Sequence, residues 1–232
     1  MCGIVGFSGR GGLDFLTSGC RMLSHRGPDD NGWHFDQENG VGLAHTRLSI
    51  IDLSPAGKQP MWDHTRRCLI TYNGELYNYQ THRRRLEGKG YRFRSSTDTE
   101  VLLSLYLESE EGLFSQLNGM YAFAIWDNRS HTLLIARDPF GIKPLYYAET
   151  PCGIFFASEL KALMRAPGLQ RSLDAHAIHH YLSYLWCPAP RTPIRDIKKL
   201  EPGTAMRVGG GRIIRKWRYT APSFAQRPTP IA

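Results

Sequence analysis

Four short apolar runs follow one another between residues 120 and 157: MYAFAIW (120–126), TLLIAR (132–137), LYYA (145–148) and IFFA (154–157). None shows the polar–apolar alternation of a strand with one wet face, so each needs cover on both faces. Asp127-Asn128-Arg129-Ser130 turns the first run into the second as a hairpin. Cys2–Ser8, Val41–Leu48 and Cys68–Asn73 read as further strands, and two more flank Gly209-Gly210-Gly211. Asn73-Gly74 carries a tight-turn signal, and SHRGPDDNG (24–32) a turn-rich loop. Helices are expected over Leu13–Leu23, Thr97–Leu107, 159–165 and 174–185. Thr97 or Asp98 caps the second, with Glu100 at capping-box spacing from Thr97 and Val101, Leu102, Leu105 and Tyr106 as its apolar stripe. Many successive antiparallel strands with helices outside the strand block predict the α+β class.

The chain has material for a buried core: its hydrophobic share is 41%. Leaving out Tyr and counting Gly raises that share to about 47%, ordinary for a globular protein. No run approaches the roughly 20 apolar residues of a membrane span, and MCGIVGFSGRGG lacks the basic and long apolar regions of a signal peptide. Cys2, Cys20, Cys68, Cys152 and Cys187 are scattered and odd in number, which predicts free thiols and a cytoplasmic setting.

The net charge of +8 is concentrated in two places. Between Arg191 and Arg218 nine Lys/Arg stand against Asp196 and Glu201, and a second cluster holds Arg83, Arg84, Arg85, Lys89, Arg92 and Arg94. No RNP, zinc-finger or KH pattern accompanies them, so nucleic acid is not the expected partner and solvated faces of a helix and a hairpin are. His176, His179 and His180 in HAIHH have helical spacing but no supporting carboxylate or Cys, so no metal site is expected. There is no G-x-x-x-x-G-K-[ST] and no G-x-G-x-x-G after a strand.

Cys2 is the most unusual feature. Removal of the initiator Met, favoured before so small a residue, leaves a cysteine bearing both a thiol and a free α-amine. A free thiol titrates at about 8.5 and an α-amine at about 7.7–8.0, so an unprotonated base sits beside the sulfur near neutrality. Nucleophile and general base then belong to one residue.

The neighbouring motifs are MCGIVG, SHRGPDD, AHTRLSIIDLS, YNGELYNY, SSTDTE, MYAFAIWD, ARDPFGIKPLYYA, FASELKAL and KLEPGT. In this order, over about 215 of the 232 residues, they resemble the class II (N-terminal nucleophile) glutamine amidotransferases. The nearest likeness is to the amino-terminal half of glutamine-hydrolysing asparagine synthetases. The resemblance implies a four-layer αββα sandwich, two antiparallel sheets between helical layers, which the segment pattern alone does not select. It also implies that Cys2 attacks the side-chain amide of L-glutamine, with Asn73 and Gly74 as the oxyanion hole. Losing one such donor costs about 10²–10³ in rate. Arg47 would clamp the α-carboxylate, Asp98 would receive the ammonium group, and Glu75 with Leu48, Ile50 and Ile51 would complete the glutamine pocket.

Residues 2–219 are thus expected to form a glutaminase domain and 220–232 a Pro-rich linker or tail. The pyrophosphate loop S-G-G-x-D-S of the family's synthetase domain is missing. ATP and Mg would belong to that absent domain, and no cofactor is expected in this chain. A truncated reading frame, a stand-alone ammonia-supplying subunit and an isolated domain all fit, and a homodimer is left open. Part of the basic stretch 191–218 is expected to face a synthetase domain or subunit that receives the ammonia. Two alternatives remain: an amidotransferase serving another acceptor in peptide or cell-surface polymer assembly, and a non-catalytic regulatory domain.

Overall fold

The computed structural model describes residues 1–221. The first of its two six-stranded antiparallel sheets runs β10 (Ile197–Lys199), β8 (Tyr146–Thr150), β9 (Gly153–Ala157), β1 (Gly3–Gly9), β3 (Val41–Arg47) and β2 (Asp30–Asp36). The second runs β12 (Arg212–Arg218), β11 (Thr204–Gly209), β7 (Thr132–Arg137), β6 (Gly119–Asp127), β5 (Cys68–Leu76) and β4 (Met61–Trp62). Helices α1 (Leu13–Met22) and α4 (Leu160–Leu163) cover the first sheet, and α2 (Tyr79–Gly88) and α3 (Asp98–Ser109) the second. A fifth helix, α5 (Ala175–Tyr184), follows α4. The expected αββα layering is therefore present.

Period-two alternation decides which layer each side chain enters. On β6, Ala122, Ala124 and Trp126 face the first sheet, while Tyr121, Phe123 and Ile125 pack beneath α3. On β1, Ile4 faces the second sheet and Val5 and Phe7 face α1. Every strand of the two sheet centres is covered on both faces, which is why the runs at 120–157 carry no polar alternation. Two side chains also bond across the gap between the sheets. Thr71 Oγ1 donates to the Ala44 carbonyl at 3.1 Å and His45 Nε2 meets the Tyr72 carbonyl at 3.2 Å.

Three local expectations are corrected. Asn73-Gly74 is no turn: β5 runs on through Leu76, with Asn73 opposite Ala122 and Gly74 opposite Tyr121. Glycine is required there for close approach, because a Cβ would fall 2.5 Å from the Met120 carbonyl oxygen and from the Tyr72 ring. The loop at 24–32 holds a 3-10 turn at Ser24–Arg26, and β2 begins within it at Asp30. At α3, Thr97 Oγ1 caps Glu100 N at 3.3 Å. The other half of the capping box is absent, since the Glu100 carboxylate instead takes the Arg94 and Ser95 N–H groups.

Much of the basic charge is neutralised within the chain. Arg191 pairs with Asp174, Arg207 and Arg215 share Glu111, and Lys216 meets Glu201. Arg85 and Lys89 share Glu108, and Arg83 pairs with Glu87. His176 and His179 are exposed on α5. All five cysteines are free thiols, with Cys20, Cys68 and Cys187 buried. Among the described residues no helix is long and apolar enough to cross a membrane. The expected Pro-rich tail lies, from residue 222 on, outside the described residues.

Candidate active site

A cavity of about 310 Å³ opens where the start of β1 meets the ends of β3 and β5 and the N-terminus of α3. Its wall includes all nine residues singled out from the sequence: Cys2, Arg47, Leu48, Ile50, Ile51, Asn73, Gly74, Glu75 and Asp98. Ile50 is 72% exposed and forms the rim.

Cys2 precedes β1, and its backbone is fixed by Arg26, whose Nε donates to the Cys2 carbonyl at 2.9 Å. Arg26 is held in turn by Glu159 at 2.9 Å. The Leu48 N–H points at Cys2 Sγ from 3.4 Å, and the Leu48 carbonyl lies 3.7 Å away. Burial pushes the thiol above its ordinary value, opposed by the Leu48 N–H, the Met1 ammonium, Lys143 and Arg47.

Alternation on β3 places Arg47, like His45 and Leu43, on the face toward the second sheet. Arg47 is only 7% exposed. One guanidinium nitrogen donates to the Ser54 carbonyl at 2.9 Å and the other to the Asp52 carbonyl. Gly57 makes room for this, since a Cβ there would overlap the guanidinium. No carboxylate among the described residues pairs with it. The loop that holds it is pinned by the Asp52 carboxylate, which accepts from Ser54 N (2.8 Å) and Ser96 N (2.9 Å).

That second anchor lies two residues before the opposite charge. Asp98, 4% exposed, opens α3, where the helix dipole favours an anion. Its Oδ2 accepts from Tyr72 Oη at 2.8 Å and Leu76 N at 2.9 Å. Burial pushes its carboxyl above the ordinary carboxylate value, against these two hydrogen bonds and the N–H groups of the first turn. Tyr72, buried beside Asp98, is driven well above the ordinary phenol value and stays a donor.

Asn73, on the same wall, is 1% exposed, its Nδ2 buried without a hydrogen-bond partner. Buried amide donors are rarely left so. The Tyr72 N–H points away from β6, to Gln59 Oε1 at 2.6 Å. Antiparallel bonding alternates, so the Gly74 N–H, two residues on, faces the same open edge. Asn73 and Gly74 thus offer two N–H donors at one end of the cavity.

Sequence reasoning missed His45, Gln59, Tyr72 and Lys143, which also line the cavity. Gln59 stands in for a strand neighbour beyond the short β4, with its Nε2 on Thr99 Oγ1 at 3.2 Å. His45 is fully enclosed, and burial lowers it to about 4, so the ring is neutral near pH 7. His45, Tyr72 and Lys143 fall inside the motifs quoted above and Gln59 outside them, but none has a local pattern that names a role. Taken together, the wall offers the Cys2 thiol, the buried cations Arg47 and Lys143 without a carboxylate partner, the buried anion Asp98 and two unfilled N–H donors. That set matches a free amino acid whose side chain ends in a carbonyl, and the volume suits so small a ligand.

Comparison with known proteins agrees. The family described as "Glutamine amidotransferase domain" matches residues 1–220. Asparagine synthetase [glutamine-hydrolyzing] 1 of Bacillus subtilis is 41% identical over 215 residues, which cover 90% of this chain and 33% of that protein. Asparagine synthetase [glutamine-hydrolyzing] 3 of the same organism is 35% identical over 236 residues, covering 94% of this chain and 36% of that protein. The chain therefore spans about a third of the length of these relatives. Among solved structures, glutamine phosphoribosylpyrophosphate amidotransferase from B. subtilis superposes with a TM-score of 0.71 at 19% identity, covering 95% of this chain and 49% of that one. That likeness supports the fold alone.

Proposed function

This chain belongs to the glutamine amidotransferase domain family, and from that premise we propose that it releases ammonia from L-glutamine at Cys2 and passes it to a synthetase domain or subunit that amidates aspartate to asparagine. The observation that carries the reading is the pairing of Arg47 and Asp98, two buried and unpaired opposite charges, across a cavity that also holds Cys2 and the unfilled Asn73 Nδ2.

In the proposed reaction Met1 is first removed. The Cys2 α-amine takes the thiol proton and the thiolate attacks Cδ of glutamine. Arg47 holds the α-carboxylate through a planar guanidinium already oriented by the Asp52 and Ser54 carbonyls. Asp98 holds the ammonium group, and Glu75, Leu48, Ile50 and Ile51 border the ligand. The developing oxyanion is received by Asn73 Nδ2 and Gly74 N–H. On collapse, the C–N bond breaks and the protonated amine supplies the proton with which ammonia departs. Water then hydrolyses the γ-glutamyl thioester to glutamate, restoring the thiol.

Every step uses residues of 2–219; ATP and Mg²⁺ would serve the synthetase partner. Of the basic stretch, Arg212 and Arg218 have no ion pair among the described residues and remain available to that partner. Free thiols at all five cysteines fit a reducing cytoplasm.

The test joins intact mass with glutamate release, on this protein and on Cys2→Ala. The expected result is a chain lacking Met1 that releases glutamate, and a variant that releases none. A retained Met1 in active protein, or equal activity in both, would overturn the mechanism.

A further inference from the structure

The reaction above leaves one buried charge on the cavity wall without a task. Lys143 is 6% exposed and lines the cavity with Cys2, and its ammonium has no hydrogen-bond acceptor or ion-pair partner among the described residues. Its stem is buried and its ammonium opens onto the cavity instead of bulk water, so a side chain free to swing out would do so. This one starts from a backbone that is fixed. The Asp138 carboxylate, itself fully buried, accepts the N–H groups of Phe140 (3.0 Å), Ile142 (3.0 Å) and Lys143 (2.9 Å). Arg137 closes the turn from the other side, donating to the carbonyls of Gly141 (2.6 Å), Lys143 (2.8 Å) and Leu200 (2.6 Å). The segment 138–143 is thus locked on a carboxylate and a guanidinium, with Lys143 at its cavity end.

We propose that Lys143 is a positioning residue for the nucleophile: its fixed ammonium holds the Cys2 sulfur as thiolate in a site that otherwise disfavours the charge. The inference rests on the reading of Cys2 as nucleophile. The charged and titratable groups acting on the sulfur are Arg47 from β3, Tyr72 from β5, the Met1 amine and Lys143, and those acting on Lys143 in turn are Arg26 from the 3-10 turn, Glu75 from β5 and Asp138. Arg47 is committed to two loop carbonyls and to the substrate carboxylate, and Arg26 to the Cys2 carbonyl and Glu159. The Cys2 α-amine, freed when Met1 is removed, gains and loses the thiol proton during turnover. Lys143 is the standing charge: its backbone is locked at the cavity, and burial, which lowers its ammonium, is countered first by the Cys2 sulfur.

The experiment uses the full chain with Lys143→Met, Lys143→Gln and Lys143→Arg. Carbamidomethylation of Cys2 by iodoacetamide is followed across about pH 6–10 on the N-terminal peptide by mass spectrometry, so Cys152 and the buried thiols do not contribute. Glutaminase kcat and KM and thermal melting are measured in parallel. In the two neutral variants the alkylation midpoint should rise by about one pH unit, and kcat near neutrality should fall about tenfold while KM stays within about twofold. Lys143→Arg should restore both. A folded neutral variant with the parent's alkylation midpoint would overturn the proposal. So would an Arg variant as impaired as Met, or loss of the folded state in both neutral variants. The midpoint is read without glutamine, so a parent protein that alkylates as expected but releases no glutamate defeats the glutaminase reading and leaves the Lys143 assignment standing.

Discussion

Replacing Asn73 with Ala should move catalysis and stability in opposite directions. The side chain is 1% exposed and its Nδ2 has no partner. A buried donor left unmade costs about 1–3 kcal/mol of desolvation that the folded state carries for nothing but its ligand. The truncation removes that donor, and the vacated space joins an existing cavity instead of sealing a new void. The Asn73–Ala122 ladder pairing of β5 and β6 belongs to the backbone and persists. Net stability should therefore stay level or rise by up to about 2 kcal/mol. At roughly 2–4 °C per kcal/mol for a chain this size, Tm should be unchanged or several degrees higher. Loss of one oxyanion donor should cost about 10²–10³ in kcat, equivalent to about 2.7–4 kcal/mol. Because that bond forms only in the transition state, kcat and kcat/KM should fall together and KM should hold. A coupled glutamate-release assay with calorimetry on the same preparation reads both. A Tm lower by more than about 4 °C with kcat within about tenfold of the parent would show that Asn73 is a structural amide, and the oxyanion assignment would be wrong.

Other outcomes follow from the two charge clamps. Gly57→Ala places a Cβ on the Arg47 guanidinium, so KM for glutamine should rise about tenfold or more with kcat largely kept; an unchanged KM would separate Arg47 from the substrate carboxylate. Asp98 gives a pH signature whose sign is set by its raised carboxyl. On acidification through that raised value Asp98 takes up a proton and no longer neutralises the substrate ammonium, so KM should rise with a midpoint above the ordinary 3.8. The native state also holds the proton over a range where the unfolded chain has lost it, so the Asp98 contribution to stability falls as pH rises through that window. Asp98→Asn should start with a raised KM, lack the KM transition and melt higher near neutrality; a variant that keeps the transition would place the titration elsewhere.

What the sequence concealed has physical reasons. The central strands were legible because burial on both faces leaves no polar alternation, as in β6 and β7. Asn73-Gly74 misled because its local chemistry is that of a turn, whereas nine paired positions between β5 and β6 carry the strand through it. Helix α2 buries only Leu86 and holds its place through Arg83 on the Ser95 carbonyl and Arg85 on Glu108, so it has no apolar stripe to read. Edge strand β2 is polar apart from Trp33 and Phe35, and β4 has two residues. In the site, Cys2 could be singled out by its own chemistry, but Arg47, Asp98 and Asn73 were assigned only through resemblance to a family. Tyr72, His45 and Lys143 lie in recognisable motifs and Gln59 in none, but no local pattern gave any of them a role, because what they do depends on what stands opposite them in the fold.

In the proposed reaction the attacking sulfur is suspended from one sheet and the donors that receive the oxyanion from the other. The two ladders are separate, so the reach between these atoms is gauged by the filling between them: Ile4, Leu43, Ala122, Ala124, Trp126 and their neighbours. The Thr71–Ala44 and His45–Tyr72 bonds fasten that gauge beside the cavity. Productive geometry tolerates only about 0.5 Å. The thickness of a greasy layer that never meets glutamine thereby becomes a kinetic parameter, and methyl groups added or shaved deep in the sandwich should retune turnover from within.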